Sequence, residues 1–247
     1  MATTKNDASI ALTLDAFSAH LNDLAGEPLA FAVDVRRLAV LRRELAIIEA
    51  AKAPLRDTLK GLYASGRVAE FGGRVFKQTA PTPVTMKRSV PSALIKKQEP
   101  RLWAAARVLS PYVSVKTVGL DEQVTQTRAE LAVGTLPGFN DPRYPDQVAQ
   151  AYLAFPKVQP IKDQVDVIAS RLRAVAARFD WDGTAREFAD GWKLALTQLK
   201  YDSDRLRDIS PELWEKLAVQ TPVGGVQRFY FGRPGVDDAE ADEVDGD

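Results

Sequence analysis

Apolar positions along the first third of the chain recur at helical spacing. Leu38, Leu41, Leu45, Ile48, Leu55, Leu59 and Leu62 form one seam with steps of 3, 4, 3, 7, 4 and 3. This is an a/d heptad pattern with one position missing. Lys52 fills the gap, where a lysine either fixes a coiled-coil register or, the preferred reading, snorkels to water. Pro54 lies beside it, and a kink is expected near Ala53 within one helix, because proline lacks an N–H and clashes with the preceding turn. Gly66 ends the helix. A shorter helix is expected over 15–25, interrupted at Gly26 and Pro28. A second, unbroken seam follows later: Ile161, Val165, Ile168, Leu172, Val175 and Phe179 step by 4, 3, 4, 3 and 4. Phe188, Trp192, Leu196 and Leu199 suggest one face of a further helix, and Ser210-Pro211 opens another with Ser210 as N-cap.

Between the seams the period changes. Residues 68–77 read as a β-hairpin around Gly72-Gly73, because two adjacent glycines tolerate the positive φ of a tight turn. Residues 84–90 predict a third strand, Pro91 and Pro100 open short helices, the second running to Leu109, and 112–118 alternate as a strand. Residues 120–133 read as a helix with Asp121 and Glu122 in its first turn. Val223–Val226 with 228–231 suggests a small hairpin. No long internal repeat is seen beyond the heptads. The expected fold is α+β and mostly helical, with long heptad helices and a small antiparallel β unit in the middle. Its parts would be a flexible tail at 1–13, a heptad helix plus basic β/α unit at 14–133, a Gly- and Pro-rich linker at 134–147, a helical domain at 148–235 and an acidic tail at 236–247.

Composition narrows the chemistry. Of 247 residues 45% are hydrophobic, enough for a core, and Lys plus Arg equals Asp plus Glu at 33 each. There is no cysteine and one histidine, His20. Zinc–thiolate sites, Cys–His and Ser–His chemistry lack their usual parts, and neither glycine pair has the Gly-Lys-Ser/Thr ending of a P-loop. No catalytic residue, metal ligand or cofactor is expected. Asp202 and Asp204 lack the glycine and glutamate of a calcium loop and read as helix caps. Asp180, Asp182 and Asp190 are the carboxylates a metal nuclease would have to use. No run of about 20 apolar residues is present, so no membrane span is expected, and a cytoplasmic location is the expectation.

Charge is unevenly spread. Residues 67–118 hold ten Lys and Arg against Glu70 and Glu99, a net +8, with Phe71, Phe76, Trp103 and Tyr112 interleaved. Cations on strands and short helices can neutralise phosphates and release counterions. Arg74, Lys77, Lys87, Arg88, Lys96, Lys97 and Arg101 are the candidate nucleic-acid contacts. An acidic protein surface or plain solvation are the competing readings. Residues 237–247 carry seven Asp and Glu, which could shield the basic face within the chain. The first seam, through Leu38, Leu41, Leu45, Ile48, Leu55 and Leu59, is either a partner or homodimer face or is packed within the subunit.

The order of heptad helix, GG hairpin, basic strand and acid-started helix resembles small phage-encoded early proteins. The stretches LRRELAIIEAAKAPLRDTLKGL, EFGGRVFKQTAP and YVSVKTVGLDEQV carry the likeness, within residues 38–133. The layout is similar to Gam-type host-nuclease inhibitors, which grip DNA ends as dimers through paired long helices; the greater size, the extra helical half and the interrupted seam depart from them. In size and overall character the chain also resembles recombination directionality factors of serine integrases. Both resemblances imply a non-enzymatic accessory role in phage-type DNA recombination or DNA metabolism, with a recombinase or integrase as protein partner, DNA nearby, and the host cytoplasm as location. The alternatives are a scaffold or chaperone acting through coiled coils, and a carboxylate-dependent metal nuclease.

Overall fold

The computed structural model describes residues 12–234. The acidic run at 237–247 and most of the expected N-terminal tail lie outside them. In chain order the elements are α1 (Leu14–Ala25), α2 (Phe31–Ala64), β1 (Glu70–Phe71), β2 (Arg74–Gln78), β3 (Thr85–Ser89), α3 (Ser92–Gln98), α4 (Pro100–Ala105), β4 (Arg107–Thr117), α5 (Leu120–Val133), α6 (Pro145–Leu153), α7 (Gln159–Arg178), β5 (Arg186–Glu187), β6 (Trp192–Tyr201), α8 (Ser203–Ile209), α9 (Pro211–Leu217), β7 (Val219–Val223) and β8 (Phe229–Gly232). The chain is α+β with small antiparallel sheets. No helix among the described residues is long and apolar enough to cross a membrane.

The chain divides into two units, each built from three segments. The first is Met1–Glu44, Pro111–Ala132 and Gln164–Gln198; the second is Leu45–Ser110, Val133–Asp163 and Leu199–Asp247. In the first unit, Thr13 caps α1 through its hydroxyl and Gly26 closes it at φ 68°, the left-handed cap that glycine adopts without strain. Phe17 packs edge-on against Phe31 and Trp181, at 5.8 and 6.2 Å, and against Phe188 at 5.4 Å. Trp192, Leu194 and Leu196 are also buried in this unit.

These last residues correct an expectation. Residues 192–199 lie in strand β6, and 188–191 form the turn that joins it to β5, rather than a helix. Positions 188, 192 and 196 step by four, and a step of four fits one face of a strand as well as one face of a helix. The deciding residue is Leu194, fully buried between Trp192 and Leu196 while Lys193 is exposed. Leu199, the fourth member of the expected helical face, is exposed.

The second unit holds two cores. Around the first, Gly72 and Gly73 turn β1 into β2 at φ 61° and 72°, as the two-residue hairpin requires. Phe76 lies parallel to Phe229 at 5.4 Å and edge-on to Phe231 at 5.2 Å; Tyr63 and Tyr152 close the cluster. Lys52 is buried, with its ammonium 4.4 Å from the centre of the Tyr152 ring. It does not snorkel: the cation is held over an aromatic face, which favours it electrostatically. The helix α2 is continuous through Pro54.

The expected hairpin at 223–231 does not form. β8 pairs with β2, and β7 pairs with β3, both antiparallel. One strand path, 74–89, therefore runs against another, 219–232. Between the ladders six residues, 79–84, face five, 224–228, one extra residue of the kind that makes a bulge. Thr79 N–H to Arg228 C=O and Thr82 N–H to Val226 C=O, 2.8 and 3.0 Å, carry the pairing across it.

The second core is Val90, Ile95, Ala106, Leu206 and Trp214, flanked by Leu102, Trp103, Tyr201, Ile209, Leu213 and Leu217. Here α4 ends at Ala105 and β4 begins at Arg107, running through Pro111. The expected helix to Leu109 is cut short because Pro111 and the alternating residues after it favour extended backbone. Asp202 caps α8 as expected, accepting from the Asp204 and Arg205 N–H groups. Ser210 sits at the N-cap of α9, but its side chain makes no capping bond. An internal repeat, not anticipated, relates the two halves of this core: Ser92, Pro100 and Trp103 recur 111 residues later as Ser203, Pro211 and Trp214.

Candidate nucleic-acid interface

Charge follows the structural units. Over the described residues the second unit has 21 Lys and Arg against 12 Asp and Glu; the first has 11 against 13. The cationic excess read from 67–118 is thus a property of one unit. It is also diluted: the fold brings Asp202, Asp204, Asp208, Glu212 and Glu215 to the core that carries the basic helices.

The seven candidate cations divide into two groups. Four are held by their own chain. Lys77 donates to the Arg233 carbonyl at 2.8 Å. Arg74 is half-buried at the start of β2. Arg88 pairs with Glu215 at 2.6 Å and stacks 4.8 Å from the Trp214 ring centre. Lys96 lies 5.0 Å over Trp103. The other three, Lys87 on β3, Lys97 in the last turn of α3 and Arg101 on α4, are exposed and meet no carboxylate among the described residues. These are the groups that can exchange water for phosphate without breaking a contact.

The aromatics of the segment mostly do other work. Phe76 is buried, Trp103 is half-buried with Arg107 5.0 Å above its ring, and Phe71 and Tyr112 are exposed. The Nε of Arg107 is buried without an acceptor among the described residues, while its Nη2 donates to the Leu199 carbonyl at 3.1 Å. Lys200, Arg205, Arg207 and Lys216 lie on the elements of the same core that come from far along the chain, interspersed with Asp202, Asp204, Asp208, Glu212 and Glu215.

The seam assigned to a partner is covered. Leu38, Leu41, Ile48, Leu55 and Leu59 are each at most 3% exposed and Leu45 is half-buried. They are core residues of this chain, which corrects their reading as an open partner face: a seam with a vacancy at Lys52 is closed locally by Tyr152.

Of the groups that could bear on chemistry, Asp182 and Asp190 accept from backbone or side-chain donors. His20 is exposed on α1. The Asp182 carboxylate accepts from the Thr184 hydroxyl and N–H at 2.6 and 3.0 Å, which hold its pKa below the ordinary carboxylate range. Asp190 accepts from the Leu14 N–H at 3.1 Å. Asp180 occupies a left-handed turn at φ 48°. No group of three His, Asp or Glu that could hold a metal ion occurs among the described residues. No family model, curated protein or solved structure matches the chain.

Proposed function

We propose that the chain is a non-enzymatic accessory protein of phage-type DNA recombination or DNA metabolism, acting in the host cytoplasm. It contacts DNA through the cationic surface of its second unit and binds a protein partner such as a recombinase. The observation that carries this reading is the segregation of positive charge into one unit together with Lys87, Lys97 and Arg101, which meet no carboxylate among the described residues. Backbone phosphates are the polyanion such a surface suits, and neutralising them supplies most of the affinity of non-specific binding. The first seam does not serve the partner, because its leucines are used inside the chain.

A second reading, assembly through coiled-coil contact, is favoured by α5. Leu120, Val124 and Leu131 are 80%, 45% and 78% exposed and share one helical face at steps of four and seven. A band-shift assay at low salt, with and without a candidate recombinase, separates the readings. A shift with DNA or with the recombinase complex supports the first. No binding to either, with sedimentation showing a concentration-dependent oligomer, supports the second.

A further inference from the structure

The stretches 92–111 and 203–222 align without a gap at a shift of 111 residues. Six of twenty positions are identical: Ser92 and Ser203, Pro100 and Pro211, Leu102 and Leu213, Trp103 and Trp214, Val108 and Val219, Pro111 and Pro222. Ile95 and Leu206, Lys96 and Arg207, Ser110 and Thr221 are conservative pairs. The structure repeats with the sequence. α3 and α8 begin and end at equivalent residues, and α4 and α9 begin at equivalent prolines. Each indole N–H donates to its own serine hydroxyl, both at 3.0 Å. Lys96 and Arg207 lie over the equivalent rings at 5.0 and 5.5 Å. The linking residues Glu99 and Ser210 share a conformation, φ −135°, ψ 70° and φ −152°, ψ 73°.

The pairing is reciprocal. The first strand of the first copy, β3, pairs with the last strand of the second, β7; in the other sheet β4 of the first copy neighbours β6 of the second. Asp202 N–H bonds Ala106 C=O at 3.0 Å, the register obtained by carrying the β3–β7 ladder through the repeat. Ile95 and Leu206, both fully buried, meet in one core. An exchange in which each copy gives the other the same element is the layout of an isologous dimer, here within one chain.

The surfaces have diverged where the cores have not. Residues 85–110 hold six Lys and Arg against one Glu; 196–221 hold four against five Asp and Glu. Lys97 in the first copy corresponds to Asp208 in the second, and Arg101 to Glu212. Packing cannot account for this difference, because all four residues are exposed. We infer that the two stretches are copies of one β-α-α-β module paired as a dimer pairs, and that DNA phosphate binding belongs to the first copy alone, through Lys97 and Arg101 beside Lys87. The carboxylates of Asp208 and Glu212 repel phosphate from the equivalent face of the second copy. This rests on the DNA reading above and assigns that reading to one face.

The test is anisotropy of a labelled DNA duplex with the full chain, titrated from about 50 to about 200 mM salt. Two double variants remove equal charge: Lys97→Gln with Arg101→Gln in the first copy, and Lys200→Gln with Lys216→Gln in the second. All four side chains are exposed, and thermal melting of each variant checks that the fold is kept. The first pair is expected to weaken binding at low salt about tenfold or more and to make the slope of log K against log salt shallower by about 1.8, two contacts at about 0.9 each. The second pair leaves the slope unchanged. Equal changes in both variants, or no change in the first while the wild type binds, overturn the assignment. No salt-dependent binding by the wild type would refute the DNA reading itself, and the assignment with it.

Discussion

Ser203 does twice the work of Ser92. Both hydroxyls accept the indole N–H of their own copy, but Ser203 also accepts the Val90 N–H at 2.9 Å, a bond made across the two copies. Losing one bond to a hydroxyl costs about 1 kcal/mol, and leaving a buried donor unsatisfied costs about 1–3 kcal/mol. Ser203→Ala should therefore destabilise the protein by about 2 kcal/mol or more and Ser92→Ala by about 1 kcal/mol, read as midpoints of urea unfolding. Equal losses would mean that the crossing bond contributes nothing. Asp34 poses a simpler case: its carboxylate is mostly buried and takes two bonds from Arg171, at 2.5 and 2.8 Å. Arg171→Met should cost about 1–3 kcal/mol by leaving that carboxylate short of donors. Asp15, hydrogen-bonded by Arg36, has its pKa lowered. Its contribution is present above the ordinary carboxylate value of about 4 and is lost as pH falls through the lower folded value. Asp15→Asn should lower stability slightly at neutral pH, the pair being exposed and screened, and the difference should close on acidification below pH ~4. At this scale the sequence was readable where the partner is local, as for Asp202 capping α8. It was not readable for Lys52, whose partner ring, Tyr152, comes from α6.

Among the elements, helices with end signals were the most legible. α5 has the expected bounds, α3 starts behind Pro91 and α4 at Pro100, and the GG hairpin forms where two glycines demand it. Strand pairing was not legible, because antiparallel partners are chosen by three-dimensional context rather than adjacency: β7 and β8 look like a hairpin in sequence yet each pairs elsewhere. Gly224 is the residue that permits this. Its φ is 111°, and a Cβ there would lie 2.1 Å from the Pro83 carbonyl oxygen. The glycine lets the second strand path pass the extra residue on the first. Gly224→Ala should cost about 2 kcal/mol or more, from strain and the close approach together, seen as a lower melting temperature. The paired substitution Gly66→Ala meets no atom within 4 Å and should cost less, since only its positive φ is strained. A smaller loss at 224 than at 66 would contradict the role given to the bulge.

For the whole molecule, the first division into a heptad half and a helical half followed chain order, whereas the units are each assembled from three separated segments. Nothing in local periodicity marks such a division. The repeat marks part of it, since its two copies fall in different thirds of the chain and meet in one core; its shift of 111 residues lies far outside any helical period. Charge was legible only as a total for a segment: +8 over 67–118 becomes, in the fold, a cation-rich unit with four of the seven candidates already engaged and acidic residues from 202–215 beside them. The central claim, that this unit binds nucleic acid through its unengaged cations, is tested most directly by the salt dependence of duplex binding to the intact protein. Three contacts from Lys87, Lys97 and Arg101 predict that log K falls linearly with log salt at a slope of about −2.7, at about 0.9 per phosphate. A flat dependence, or no binding at about 50 mM salt, would contradict it.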